Sequence, residues 1–327
     1  MLSDDGKRRL MVSVNIAHRN QSAAAGEPEV IRAVPLRRPG QWLATAVCGV
    51  LALMLLASVA QNPRFQWHVV GHYLFTEPIL SGLWVTIELT VIAMVIGISL
   101  GVLLAVMRLS GNKLAGSLAW AYVSFFRGTP VLVQLIFWFN LSALYPKLTL
   151  GIPFGGPHFL SLDANALVTP FVAAVLGLGL NEAAYMSEIV RGGILAVDEG
   201  QTSASLALGI SRMQALRRIV LPQAMRVIIP PTGNEAIGML KMTSIVSIVS
   251  LAELLYAAQA IYTTTYQTIP LLVVVSLWYL AVTSILSVGQ YYIEKRFARG
   301  AHGTSMTARS SRTRLLTNLM RSKGDAS

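Results

Sequence analysis

Five ionisable residues stand within or at the ends of otherwise apolar stretches of this chain: Arg127, Glu182, Glu188, Glu235 and Lys241. A charge at mid-membrane costs about 2.5–3.5 kcal/mol on the insertion scale, so such residues are candidates for a polar solute pathway. Glu188 precedes Arg191 by three positions, a spacing that puts the two on one helical face, where they can pair. Glu182 and Lys241 lie deepest in their stretches, and Glu88 stands near the start of its own. Two helix-breaking runs accompany the charges: Phe126-Arg127-Gly128-Thr129-Pro130, and Ile229-Pro230-Pro231-Thr232-Gly233 at the opening of a later stretch. Backbone freed by proline at membrane depth must be satisfied by protein or water, and broken helices with charged neighbours suit a polar solute. As polar contacts or helix-bridging ion pairs, Arg127, Glu182, Lys241 and Glu235 suit a zwitterion, whose charges need counter-charges once water is stripped away.

The elements that must carry these residues follow from composition. Of 327 residues, 54% are apolar and 13% charged, with mean hydropathy +0.58. Soluble domains carry roughly 25% charged residues, so the chain reads as an all-α polytopic membrane protein. With about 20 apolar residues needed per crossing, six spans are predicted. They are Trp42–Ala60, Ile79–Met107, Leu118–Tyr145, Ala166–Val190, Val227–Val249 and Leu271–Ile293. With the N-terminus inside, residues 1–41, 108–117, 191–226 and 294–327 hold seven, two, five and eight Lys and Arg. The opposite side holds Arg64 and Lys147. Lys and Arg stay cytoplasmic, so both termini are expected inside, which accounts for the net charge of +11 without nucleic acid.

Other chemistries find little support. The single cysteine, Cys48, forms no intrachain disulfide or cysteine-based metal cluster, and the five histidines are scattered. Gly97-Ile-Ser99-Leu-Gly101 matches a hydrolase pattern in letters but lies in an apolar helix. No phosphate loop is present, so ATP and Mg²⁺ belong on a partner and this chain is expected to bind no cofactor.

The inner segment between the fourth and fifth spans does not read as a loop. Glu199 to Gly209 is predicted as a short helix closed by glycine, and Ser211 caps a second, Arg212–Val220, ended by Leu221-Pro222. A helix–Gly–helix knuckle on the cytoplasmic face offers an ordered surface to a soluble partner.

Gly209, nine intervening residues and then Ile219-Val-Leu221-Pro222 resemble the coupling loop of ABC importer permeases. Phe125–Pro130 and Glu182-Ala-Ala-Tyr-Met-Ser-Glu188-Ile-Val-Arg191-Gly-Gly-Ile resemble the polar amino acid branch of that family. The resemblance runs from about Ile79 to Arg299. It implies a five-helix type I core plus one extra N-terminal helix, alternating access, and a bacterial inner-membrane location. It also implies a second permease copy or paralogue, two ATPase subunits and an extracytoplasmic solute-binding protein, in a lipid bilayer. Glu199, Gly200, Ser203, Ala204, Ser205, Gly209, Ile219, Leu221 and Pro222 would then meet the ATPase. Where the family places Glu-Ala-Ala, this chain has Ser203-Ala204-Ser205, and Glu199 one turn earlier is expected to supply the acid. The expected layout is a tail over 1–41, the extra helix over 42–60, a linker over 61–78 and the permease domain over 79–299. The coupling loop occupies 196–223, and a disordered basic tail follows over 300–327. An ion-coupled secondary transporter is the alternative, though it has no use for a cytoplasmic knuckle.

Overall fold

The computed structural model describes residues 39–151 and 158–298, with side-chain environments for 43–147 and 161–297. The expected tails therefore lie largely outside the described residues. The chain divides into two units, one ending at Gln61 and one beginning at Asn62. The first contains α1 (Pro39–Gln61), a 23-residue helix that starts slightly ahead of the expected span.

The second unit opens with structure where a linker was expected. A 3₁₀ turn at Pro63–Phe65 is capped by the Asn62 side chain, and α2 (Trp67–Tyr73) buries Val69 and Val70. These valines pack with Ile79, Leu254, Leu271 and Val274. Most of those partners are remote in sequence, and a window over 61–78 is too short and mixed to announce them.

The spine of this unit is α3 (Glu77–Leu109) packed along α8 (Pro170–Leu195). Close approach depends on missing side chains. A Cβ at Gly97 would collide with the Glu182 side chain, and one at Gly101 with Met186. Membrane helices associate through such small-residue faces because dispersion, rather than water exclusion, drives their packing.

Between them the third expected span is two helices. α4 (Lys113–Gly128) and α5 (Val131–Phe139) meet at 100°. Pro130 disfavours helical geometry at Thr129, which is extended at φ −116° and ψ 142°. A short α6 (Leu141–Leu144) leads to an antiparallel hairpin that was not foreseen, β1 (Lys147–Gly151) with β2 (His158–Asp163). Its register runs from Lys147↔Asp163 to Leu150↔Leu160, with an irregularity at Leu150/Gly151. The short α7 (Ala164–Leu167) precedes α8.

After α8 come α9 (Glu199–Ala207), α10 (Arg212–Ala215), a π turn (Leu216–Val220) and α11 (Leu221–Met242). The expected stop at Leu221-Pro222 does not occur. Val220 and Leu221 remain right-handed helical, and the wider π turn accommodates the ring of Pro222 in the first turn of α11. Pro230 and Pro231 likewise sit inside α11 without ending it. Gln290 Nε2 donates to the Pro230 carbonyl at 2.8 Å, and Thr232 Oγ1 to that of Ile228. Both bonds engage backbone carbonyls beside the prolines, one from the next turn and one from α13.

A 3₁₀ stretch (Thr243–Val249) follows, then α12 (Leu254–Thr265) and α13 (Thr268–Ala298). The segment before the last span, expected as an outer connection, is mostly helical. Among the described residues, three helices are long and apolar enough to cross a membrane, those containing Leu43–Gln61, Glu77–Leu109 and Thr268–Phe297. Counting each of two bent pairs as one span gives up to five, against the six expected. α8 is not among them, because Asn181, Glu182, Ser187 and Glu188 dilute its hydropathy.

Candidate functional site

The charged residues of the middle helices converge around α8. Glu188 is its electrostatic centre, ion-paired with Arg108 from the end of α3. Arg191, one turn on, donates from Nε at 3.0 Å and Nη2 at 2.8 Å to Oε2 of Glu188. Arg127 approaches the same carboxylate at 3.8 Å, and its guanidinium lies 5.3 Å from the centroid of the Tyr185 ring, a cation–π distance. Three guanidinium groups therefore share one carboxylate.

Arg127 is held there by the break between α4 and α5. Gln134 Nε2 donates to the carbonyls of Phe126 (3.0 Å) and Thr129 (3.1 Å), bridging the interruption from within α5. Asn181 Nδ2 donates to the same Phe126 carbonyl at 2.9 Å and to Gln134 Oε1 at 3.3 Å. Both amides are buried. An exposed backbone acceptor in an apolar setting is costly, and this pair removes the cost while locking α4, α5 and α8 together.

Deeper along α8, Glu182 is 4% exposed and packed against Gly97; its Oε1 has no hydrogen-bond partner, and neither has Ser187 Oγ. Glu235, half-buried on α11, lies within electrostatic reach of both Glu182 and Arg127. Arg127, Glu182, Glu188 and Glu235 are thus gathered from three helices. Lys241, read as deep in its stretch, is instead exposed in the last turn of α11 and makes no ion pair among the described residues. Glu88 is exposed on α3.

Arg108, Gln134 and Asn181 were not singled out from the sequence. Gln134 and Asn181 carried a usable signal, since each is a polar amide inside an apolar run. Arg108 carried none, because an arginine just past a span is also what a cytoplasmic flank looks like.

The second candidate region is the knuckle. Asp198 accepts from the Gly200 N–H and starts α9, and the helix ends in a Schellman arrangement. Gly209 N–H donates to Leu206 O and Ile210 N–H to Ser205 O, with Gly209 at φ +78°. Ser211 and Gln214 then form a reciprocal capping box. Glu199, Gly200, Ser203, Ala204, Gly209, Leu221 and Pro222 are exposed, Ile219 is half-buried and Ser205 is buried. Leu208 and Met213 project at 81% and 63% exposure, flanking the turn.

Residues 97–299 match the family model described as "binding-protein-dependent transport system inner membrane component". The chain belongs to this family of ABC importer permeases. The arginine transport system permease protein ArgU of Corynebacterium glutamicum is 47% identical over 289 residues, covering 88% of this chain and 89% of that one. The L-cystine permease TcyB of Bacillus subtilis is 35% identical, covering 75% and 96%. The crystal structure of an amino acid ABC transporter with histidines superposes with a TM-score of 0.58 at 34% identity, covering 68% of this permease and 95% of that chain. An inward-facing MetNI methionine ABC transporter shares the fold, with a TM-score of 0.50 at 19% identity. This permease is accordingly a multi-pass membrane component of an amino acid ABC transporter.

Proposed function

We propose that this permease carries a cationic amino acid inward by alternating access, driven by ATPase subunits that grip the knuckle Glu199–Pro222. The observation that carries the coupling is continuity. From Arg212 through the π turn to Met242 the backbone stays helical, without the stop expected at Pro222. At about 1.5 Å per residue, the helix joins the knuckle to Glu235 roughly 34 Å away. A push on Leu208 and Met213 therefore reaches the charged cluster as a lever stroke rather than dissipating in a loop.

The substrate class follows from the charge inventory. Arg127 is committed to Glu188, whose carboxylate Arg108 and Arg191 also engage. Glu182 and Glu235 make no ion pair among the described residues, so these two carboxylates are open to a positive charge brought by a solute. A solute with a cationic side chain supplies it, and the name of the Corynebacterium relative agrees.

In this reading the complex comprises a second permease, identical or paralogous, two ATPase subunits that hold ATP and Mg²⁺, and a soluble binding protein outside. It sits in the bacterial inner membrane with both permease termini in the cytoplasm. Reconstituted vesicles test it. Arginine uptake should require internal-facing ATP and the binding protein, and Leu208→Arg with Met213→Glu should abolish it. Uptake that follows an ion gradient without ATP would establish a secondary transporter instead.

A further inference from the structure

Outside the charged cluster, Glu253 is fully buried at 0% exposure. Its carboxylate caps α12, accepting from the N–H of Leu255 at 2.9 Å and of Tyr256 at 2.8 Å. Tyr279 on α13 donates its hydroxyl to Oε2 at 3.1 Å. Thr86 on α3 lies 3.5 Å from the same oxygen and accepts from the Leu254 N–H at 3.1 Å. Beside this node the backbones of α3 and α12 touch: a Cβ on Gly82 would stand 2.9 Å from that of Ala257 and 3.0 Å from the Glu253 carbonyl. Ile79, Leu83, Leu254, Ala258, Leu271 and Val275 surround it as one apolar cluster.

The segment leading into the node is built differently. Thr243–Val249 is wound as a 3₁₀ helix, whose hydrogen-bond geometry is poorer than that of an α-helix. Ser250 follows in the left-handed region at φ 59°, unusual for a residue with a side chain. Between the helical run that ends at Val249 and α12 the chain bends by 46°.

We propose that Glu253 is a positioning residue for transport, fastening the start of α12 to α3 and α13 so that the three move as one body while α11 swings about Ser250. Sliding α12 along α3 would strand a buried carboxylate and uncap a helix together, whereas rotation at Ser250 leaves both intact and gives up instead the half-buried Gln290–Pro230 bond between α13 and α11. The knuckle lever thus works against a fixed post. The inference rests on alternating access and says which part of the permease stays still during it.

The test uses the assembled complex with Cys48→Ser and spin labels on one permease copy, at Ser81 and Ala260 or at Asn234 and Ala260. These sites are exposed on α3, α12 and α11. Between nucleotide-free and vanadate-trapped states, the 234–260 distance should shift by several ångströms while the 81–260 distance stays constant. Equal shifts in both pairs would overturn the proposal but leave alternating access standing. No shift in either would overturn the swing about Ser250, whereas uptake by the parent complex that needs no ATP would overturn alternating access driven by the ATPase. In Tyr279→Phe, and more strongly in Glu253→Ala, the 81–260 distribution should broaden. Uptake should fall at least tenfold in Glu253→Ala, with the KM for the loaded binding protein changed less than twofold. Glu253→Gln keeps an acceptor for the cap and should restore uptake to within threefold of the parent. Unchanged uptake in Glu253→Ala would also overturn the proposal.

Discussion

Glu182 and Asn181 are adjacent in sequence and do opposite work. Asn181 spends its donors on the Phe126 carbonyl and on Gln134, so its contribution is structural. Asn181→Ala leaves the buried Gln134 Oε1 without this donor and the Phe126 carbonyl with Gln134 Nε2 alone, which should cost about 1–3 kcal/mol. A lowered thermal midpoint of the detergent-solubilised permease checks this. Glu182 keeps a buried oxygen without a partner, a poor choice for stability and a good one for meeting a cation. Glu182→Gln should leave assembly and thermal midpoint intact while lowering arginine uptake by roughly tenfold or more, equivalent to about 1.4 kcal/mol of lost interaction. Uptake equal to the parent would remove Glu182 from the pathway.

At the scale of elements, the knuckle and α11 behave as one part. Gly209 alone lets the chain turn between α9 and α10, because its φ of +78° costs a residue with a Cβ about 1–2 kcal/mol. Gly209→Val should therefore weaken co-purification with the ATPase subunits and reduce uptake in proportion. Pro222→Ala should be almost silent in stability, within about 0.5 kcal/mol in the thermal midpoint's free-energy equivalent, because Pro222 ends no helix. A large loss there would mean that the π turn depends on the proline. Gly97 sets the other contact. Gly97→Leu drives a side chain into Glu182, so it should separate α3 from α8 and abolish assembly, read as loss of the monodisperse complex on gel filtration.

For the whole molecule, orientation decides which surface meets the motor. Basic residues crowd the segments containing the knuckle and both tails, and the proposed orientation places Arg64 and Lys147 on the opposite side. Alkaline phosphatase inserted between Gly151 and His158 should accordingly be active, and the same reporter after Ala298 inactive. The reverse pattern would put the knuckle outside the cell, beyond the reach of any ATPase.

Much of the architecture was legible beforehand. Long apolar runs announce α1, α3 and α13, because a membrane selects for composition over a fixed length. The break at Gly128–Pro130 and the caps at Gly209 and Ser211 were equally readable, since turn chemistry is local. Tertiary structure alone decided the rest. It kept α11 helical through Pro222, Pro230 and Pro231, helped by a π turn and a glutamine 60 residues away. It folded α2 and α12 out of segments that look like connections, because their buried faces belong to α3 and α13. It drew Arg108 and Arg127 onto the Glu188–Arg191 pair that the spacing predicts, and left Lys241 exposed. Pattern along a chain records what each stretch prefers; which charge meets which depends on the rotation of one helix against another, and that is settled only by packing.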